Sequence, residues 1–325
     1  MAAEQTAALG MLQCKNSLLP IAFTLLSFLS CNSSSTENRT QLDKSDCWTG
    51  AGVWQIPVDT GGFQIRYGHE LVVHTAKYLG PRGSVARITN GMNCQNCHLD
   101  AGTKPWGNNY GSVASTYPLF RNRSGSIESI DKRITDCFQR SLNARAFDSN
   151  SQEVKAIKAY IVWLGKEVPK GEKVKGSGIM ELPMMDRAAD PEKGKEIFLT
   201  QCARCHGKSG AGQKDSSGIE YTYPPLWGPD SYTQGAGMYR LSRLAGFIKN
   251  NMPHPITYHQ PVISNVESWD LAAYINSQPR PGFDISMDWP NKKSKPFDHP
   301  FGPYADSFSE RQHKLGPWTW VDNKY

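Results

Sequence analysis

No stretch of this 325-residue chain stays apolar long enough to cross a bilayer, which takes about 20 residues as a helix. The longest apolar run, residues 18–29, is only about a dozen residues long, the size of a signal-peptide core. A strong charge of one sign is also missing: 36 Lys and Arg face 30 Asp and Glu, a net +6. That surplus suits an anionic small substrate or an acidic redox partner, and it is too small to argue for nucleic acid. Cysteine and histidine are scarce, at 8 each, and no methionine occurs between His98 and Pro169. With so few soft or imidazole side chains available, the spacing of each one carries weight.

Lys15 places a positive charge before the apolar run, so Met11 reads as the start of an export signal. The run ends in Phe28-Leu29-Ser30-Cys31 and passes into a polar stretch. A small residue, a cysteine and a flexible tether resemble a bacterial lipoprotein cleavage site, with Cys31 carrying the lipid. Phe28 stands where leucine is usual, which leaves ordinary cleavage open. Residues 1–31 are read as the signal and 32–60 as a tether. The expected address is the periplasm, with a membrane anchor if Cys31 is acylated.

The sequence Cys94-Gln95-Asn96-Cys97-His98 has the spacing that attaches a c-type haem: two thiols for the vinyl groups, then an imidazole for the iron. The pattern returns at Cys202-Ala203-Arg204-Cys205-His206. A zinc site shared between the two CxxC pairs is the bland alternative, but such pairs usually lie much closer in sequence. Two covalently attached haem c groups are therefore expected, with His98 and His206 as proximal ligands. Apolar periodicity predicts helices over 68–79, 129–142 and 154–164 around the first motif. Around the second it predicts helices over 193–200, 238–249 and 266–277. The two halves share one plan: helix, CxxCH, loop, helix, closing helix. The fold class this predicts is all-α, with two class I cytochrome c domains in tandem. The first is assigned to 61–168, a linker to 169–188, the second to 189–280, and a wrapping tail to 281–325.

What each iron meets on its other face decides the chemistry. In the second domain Met252, within Asn-Met-Pro, is the expected distal ligand, with Met238, His254 and His259 as fallbacks. His/Met ligation raises the potential and suits electron transfer. The first domain has no methionine after its motif, and Met92 precedes Cys94 too closely to reach the distal side. Cys137 is the expected ligand there, with His69 and His74 as weaker candidates. On a helix Arg133, Cys137 and Ser141 fall at i, i+4 and i+8 on one stripe, and Arg140 borders it. A thiolate on iron lowers the potential, and a sulfur able to leave iron is a nucleophile. Arginines beside it could hold a small sulfur dianion. The bland reading of Cys137 is an inert buried thiol.

Arg-Ile-Thr-Asp-Cys-Phe-Gln-Arg-Ser-Leu-Asn in the first domain resembles the dihaem thiosulfate dehydrogenases. So do Asn-Met-Pro in the second and Pro303-Tyr-Ala-Asp-Ser-Phe-Ser-Glu-Arg-Gln-His-Lys-Leu-Gly-Pro317 in the tail. That family joins two thiosulfates into tetrathionate with release of two electrons, and some members run mainly in reverse. The resemblance implies that His98 and Cys137 ligate the catalytic haem and that Arg133 and Ser141 bind substrate. It also implies that His206 and Met252 ligate an electron-exit haem, which exchanges electrons with an external partner such as a small cytochrome c. Some relatives have a lysine before this methionine that can swap onto iron; here the position is Asn251, which argues against such a switch. Two other readings stay open: a dihaem electron shuttle without catalysis, and the haem subunit of a multienzyme thiosulfate-oxidising system. A dihaem peroxidase fits less well, because it needs an open iron.

Overall fold

The computed structural model describes residues 47–144 and 148–321; the expected signal peptide, Cys31 and most of the tether lie outside them. Five helices and a hairpin frame the first motif and the second. These are α1 (Thr60–Val73), the hairpin β1 (Leu119–Arg121) with β2 (Ser126–Glu128), α2 (Ile130–Arg140), α3 (Gln152–Leu164), α4 (Pro191–Ile197) and α5 (Leu241–Asn251). The closing helix α6 (Asn265–Ser277) and a short α7 (Glu310–Leu315) follow, with shorter helical turns and a second two-stranded hairpin (Gln213–Lys214 with Tyr221–Tyr223) between the main elements. Among the described residues no helix is long and apolar enough to cross a membrane.

Most helix starts are marked by side-chain caps. Ser129, Ser151, Asp190 and Ser264 each accept a backbone N–H of the first turn, and Pro191 sits where a missing N–H costs nothing. The first helix begins earlier than periodicity predicts. Asp59 accepts from the Gly62 N–H at 2.7 Å and starts α1 at Thr60. The paired glycines Gly61 and Gly62 conceal that start from any hydrophobic pattern. The helix also breaks at His74 before resuming over Thr75–Leu79.

In both halves the first and last helices cross at a glycine. A Cβ on Gly68 would fall 2.0 Å from the carbonyl oxygen of Ala156 and 2.9 Å from the Tyr160 Cβ. A Cβ on Gly194 would fall 2.0 Å from the carbonyl oxygen of Asp270 and 2.9 Å from the Tyr274 Cβ. The α1–α3 and α4–α6 crossings are thus the same contact made twice, and backbone meets backbone with no space for a methyl. Gly68→Ala or Gly194→Ala should push a helix pair apart and cost about 2–3 kcal/mol, the upper end of overpacking. Thermal unfolding of the two variants checks this, and a melting temperature equal to the parent's would refute the close crossing.

The tail does more than cover a surface. Trp318 packs against Trp269 of α6 at 5.0 Å, both rings are almost fully buried, and the Trp318 N–H donates to the His313 carbonyl. The two motif-bearing halves also touch directly. Glu220 accepts from Asn93, beside the first motif, at 3.0 Å and lies 3.0 Å from His74 Nδ1. Asn90 donates to the Ser231 carbonyl at 3.2 Å, and the Thr233 N–H donates to the Arg140 carbonyl at 3.0 Å.

Candidate haem and anion site

Cys94 opens a short 3₁₀ turn whose start is held by Thr75: the Cys94 N–H donates to the Thr75 hydroxyl at 2.9 Å. His98 follows, its ring stacked on Tyr110 at 4.6 Å and its Nδ1 2.6 Å from the Asn108 carbonyl oxygen. A carbonyl can only accept, so Nδ1 donates to it, and Nε2 is the nitrogen that would ligate an iron. Asn108 adopts φ +60, a left-handed backbone that asparagine tolerates better than most residues, and this aims its carbonyl at the ring. His206 repeats the device, with Nδ1 2.8 Å from the Pro224 carbonyl oxygen.

A cavity of about 390 Å³ opens beside the first motif. Cys94, Cys97 and His98 line it, and Cys137 reaches it from the last turn of α2. Arg133 and Ser141 line it too, so the stripe Arg133–Cys137–Ser141 faces one space. Residues remote in sequence complete the wall: Arg121 and Arg123 from the β1–β2 hairpin, Met238, Arg240 and Arg243 from the second half, and Trp289 from the tail. Five guanidiniums therefore line the cavity, and no Asp or Glu is among its lining residues.

Four of the five have a carboxylate partner outside the lining: Asp298 is 2.6 Å from Arg240, Glu181 3.2 Å from Arg243, Asp136 3.9 Å from Arg123 and Glu128 4.0 Å from Arg121, which leaves Arg133 the cation closest in effect to Cys137. Burial alone would push the Cys137 thiol up, but Arg133, a hydrogen bond with His98, the His98 charge and Arg123 bring it down to about 7. Arg133 is held above the usual guanidinium range, chiefly by the charge of Cys137. Arg123 moves the other way: burial, with repulsion from Arg133 and Arg140, lowers it to about 10, which still leaves it cationic at neutral pH. Its nearest carboxylate, Asp136, is 3.9 Å away, and its Nη2 has no hydrogen-bond partner among the described residues. Such unpaired donors inside an apolar shell bind an anion strongly.

Arg140 is placed elsewhere. It is not among the lining residues; its guanidinium forms a two-pronged pair with Asp288 of the tail at 2.7 and 2.6 Å, under the Phe283 ring. At i+3 from Cys137 it sits off the Arg133–Cys137–Ser141 stripe, and it ties α2 to the tail. Both partners are nearly buried, at 12% and 10% side-chain exposure. Arg140→Ala leaves Asp288 buried and unpaired, so a loss of about 3 kcal/mol is expected by chemical denaturation. Arg140→Ala with Asp288→Ala together should lose less than the two single changes added, which a double-mutant cycle reads directly.

In the second half His206 is buried, and burial lowers its ring below the usual imidazole range. Met252 is half-buried just past α5, and its N–H donates to the Ile248 carbonyl at 3.0 Å. Asn251 before it is completely buried and donates to the carbonyls of Trp106 and Phe247, each at 3.1 Å. That position is a strut between the two halves, with no freedom for a side chain that leaves to ligate iron. His69 lies edge-on to Tyr160, and His74 is engaged with Glu220. Neither is among the cavity lining residues. Among the described residues no three His, Cys, Asp or Glu side chains converge on a metal-sized point, so a zinc site bridging the CxxC pairs has no ligand set. Arg121, Arg123, Arg240, Arg243 and Trp289 join this site from elements remote in sequence, with nothing local to say where they point, and Met238, a fallback ligand for the second iron, lines this first cavity.

Two cytochrome c domains define the chain as a dihaem c-type cytochrome. Residues 84–169 match the model of the SoxA/TsdA cytochrome c domain, and residues 191–279 match that of cytochrome c. Such domains each carry one covalent haem c, and Cys94, Cys97 and His98 around the cavity, with Cys202, Cys205 and His206, fit two such groups. The thiosulfate dehydrogenase of Stutzerimonas stutzeri (strain A1501) is 37% identical over 70% of this chain and 70% of its own length. That of Psychrobacter arcticus is 36% identical over 73% of this chain and 69% of its own. The solved thiosulfate dehydrogenase (TsdBA) of Marichromatium purpuratum superposes with a TM-score of 0.67 at 32% identity over 72% of this chain. This chain spans 50% of that solved chain's length. The chain belongs to the thiosulfate dehydrogenase family.

Proposed function

We propose that this dihaem cytochrome interconverts thiosulfate and tetrathionate at the cavity beside His98. The observation that carries the reading is Cys137 set against His98 and Arg133 in one cavity, with the Arg123 Nη2, which has no hydrogen-bond partner among the described residues, on the same wall. Beside the haem that Cys94 and Cys97 would hold, Arg133 and Arg123 favour a small anion next to the Cys137 sulfur. Cys94 and Cys97 would hold the first haem, with His98 and Cys137 offered to its iron; Cys202 and Cys205 would hold the second, with His206 and Met252 offered to its iron. When bound, the haems supply the one-electron acceptors that the oxidation requires.

Arg133 and Arg123 hold the thiosulfate oxygens, and Ser141 donates from the end of α2. The Cys137 thiolate forms a bond to the outer sulfur of one thiosulfate, giving a Cys–S–S–SO₃⁻ adduct as two electrons leave. A second thiosulfate attacks that sulfur, tetrathionate departs, and the thiolate returns. Atoms and charge balance: the sum is two thiosulfates to one tetrathionate plus two electrons. Arg140 serves this site indirectly, by fixing α2 against the tail. Electrons leave through the Met252 side to a small external cytochrome. The domain limits 61–168 and 189–280 and a lipid anchor at Cys31 on the periplasmic face complete the reading.

The test is turnover of free thiosulfate by the purified dihaem protein with an added one-electron acceptor. One tetrathionate per two electrons is the expected result. No turnover by the isolated chain, with both haems attached, would favour a subunit of a multienzyme system.

A further inference from the structure

Trp289 carries a second buried donor and lines the same cavity. Its indole Nε1 has no hydrogen-bond partner among the described residues, like the Nη2 of Arg123. Trp289 lines both the 390 Å³ cavity and a small adjoining space of about 30 Å³, and Arg123 lines both as well. An indole N–H almost always finds an acceptor when buried, so an orphan beside an unbonded guanidinium nitrogen points to an oxyanion that the chain itself does not provide, either a bound anion or a carboxylate of the haem that Cys94 and Cys97 would hold.

The backbone around Trp289 is built to hold the ring in place. Its φ is +59, a left-handed conformation that is a true outlier for a bulky residue. Three contacts hold it there. The Trp289 N–H donates to the Arg123 carbonyl at 2.7 Å, which locks the tail to the hairpin turn. The neighbouring Asp288 is clamped by Arg140 at 2.6 Å. The ring stands edge-on to the buried His299, with centroids 5.8 Å apart. A strained residue pinned on both sides of a ligand cavity is how a fold keeps a side chain aimed before the ligand arrives.

We infer that the Trp289 indole N–H donates to an oxygen of the bound anion beside Arg123, making the tail a contributor to substrate binding. The inference rests on the anion-binding role proposed above. Both donors are donors only, so they take an oxyanion that carries no proton of its own at this point, such as thiosulfate or sulfate.

The experiment uses the holoprotein with Trp289→Phe, which keeps an aromatic ring at the position and removes the N–H together with the five-membered ring. The KM for thiosulfate is expected to rise roughly tenfold, the loss of one hydrogen bond to a charged partner. Sulfate serves as an unreactive probe, and its dissociation constant by titration calorimetry should rise by the same factor. The resonance signature and reduction potential of the first haem should stay as in the parent. An unchanged sulfate constant would overturn the inference. So would a shifted haem potential with unchanged sulfate binding, because the N–H would then serve the haem edge. Should the Phe variant fail to fold, the indole N–H resonance of the ¹⁵N-tryptophan-labelled parent decides: movement on sulfate addition supports the inference, and none refutes it. Weaker sulfate binding in a protein that does not turn over thiosulfate would sink the proposed function and leave this contact standing.

Discussion

Cys137→Gly is expected to lower thiosulfate turnover at least about a thousandfold, as loss of a sole nucleophile does, while both haems remain attached. No other thiol can substitute. Cys94 and Cys97 are the attachment points of the haem, so in the loaded protein their sulfurs are thioethers with no proton to lose. Cys137 alone in this cavity is brought down, to about 7, by the guanidiniums and His98 around it. The substitution adds a glycine in the last turn of α2, which costs about 1 kcal/mol of helix stability and leaves folding intact. Electron paramagnetic resonance of the oxidised protein provides the second readout. A low-spin thiolate-type signal present in the parent and lost in the variant places Cys137 on the iron. Signals of His/Met type only, unchanged by the substitution, would leave a two-haem electron shuttle as the better account.

How much of this was legible in the sequence depends on how local each feature is. Cys94–His98 and Cys202–His206 are pentapeptides, and their chemistry is complete within five positions, so they are readable at sight. The Arg133–Cys137–Ser141 stripe is readable because a helix makes i+4 neighbours predictable, and the cavity does take all three. Arg140 shows the limit of that logic. Adjacency along the helix placed it beside Cys137, but its orientation is decided by Asp288, far along a tail with no periodicity to announce the contact. Trp289, Trp318 and Asp288 are invisible for the same reason: a chain that wraps carries its contacts in three dimensions and leaves no period in one. Gly68 and Gly194 occupy the middle ground. Each reads as an ordinary helix glycine until the crossing carbonyl, 2.0 Å from a would-be Cβ, shows why nothing larger fits.

Arg133→Met should lower kcat/KM for thiosulfate by about a hundred- to a thousandfold, the usual cost of removing one preorganised donor from a water-poor site. Arg133 acts twice in this cavity. It is the strongest stabiliser of the Cys137 thiolate, and it is one of the buried cations available to a dianion. Losing it removes both the charge that keeps the sulfur ionised and a donor to the substrate oxygens. Stability should fall only modestly, because removing Arg133 loses its attraction to Cys137, Asp136 and Glu128 but relieves its repulsion of Arg123. A melting temperature within a few degrees of the parent, alongside a collapsed kcat/KM, is therefore the expected pair of results. Arg133→Lys restores the charge but not the planar fork, so it should recover only part of the loss. A Met variant that keeps kcat/KM within tenfold of the parent would show that the remaining guanidiniums suffice, and the role given to the α2 stripe would fall to the hairpin and the second half.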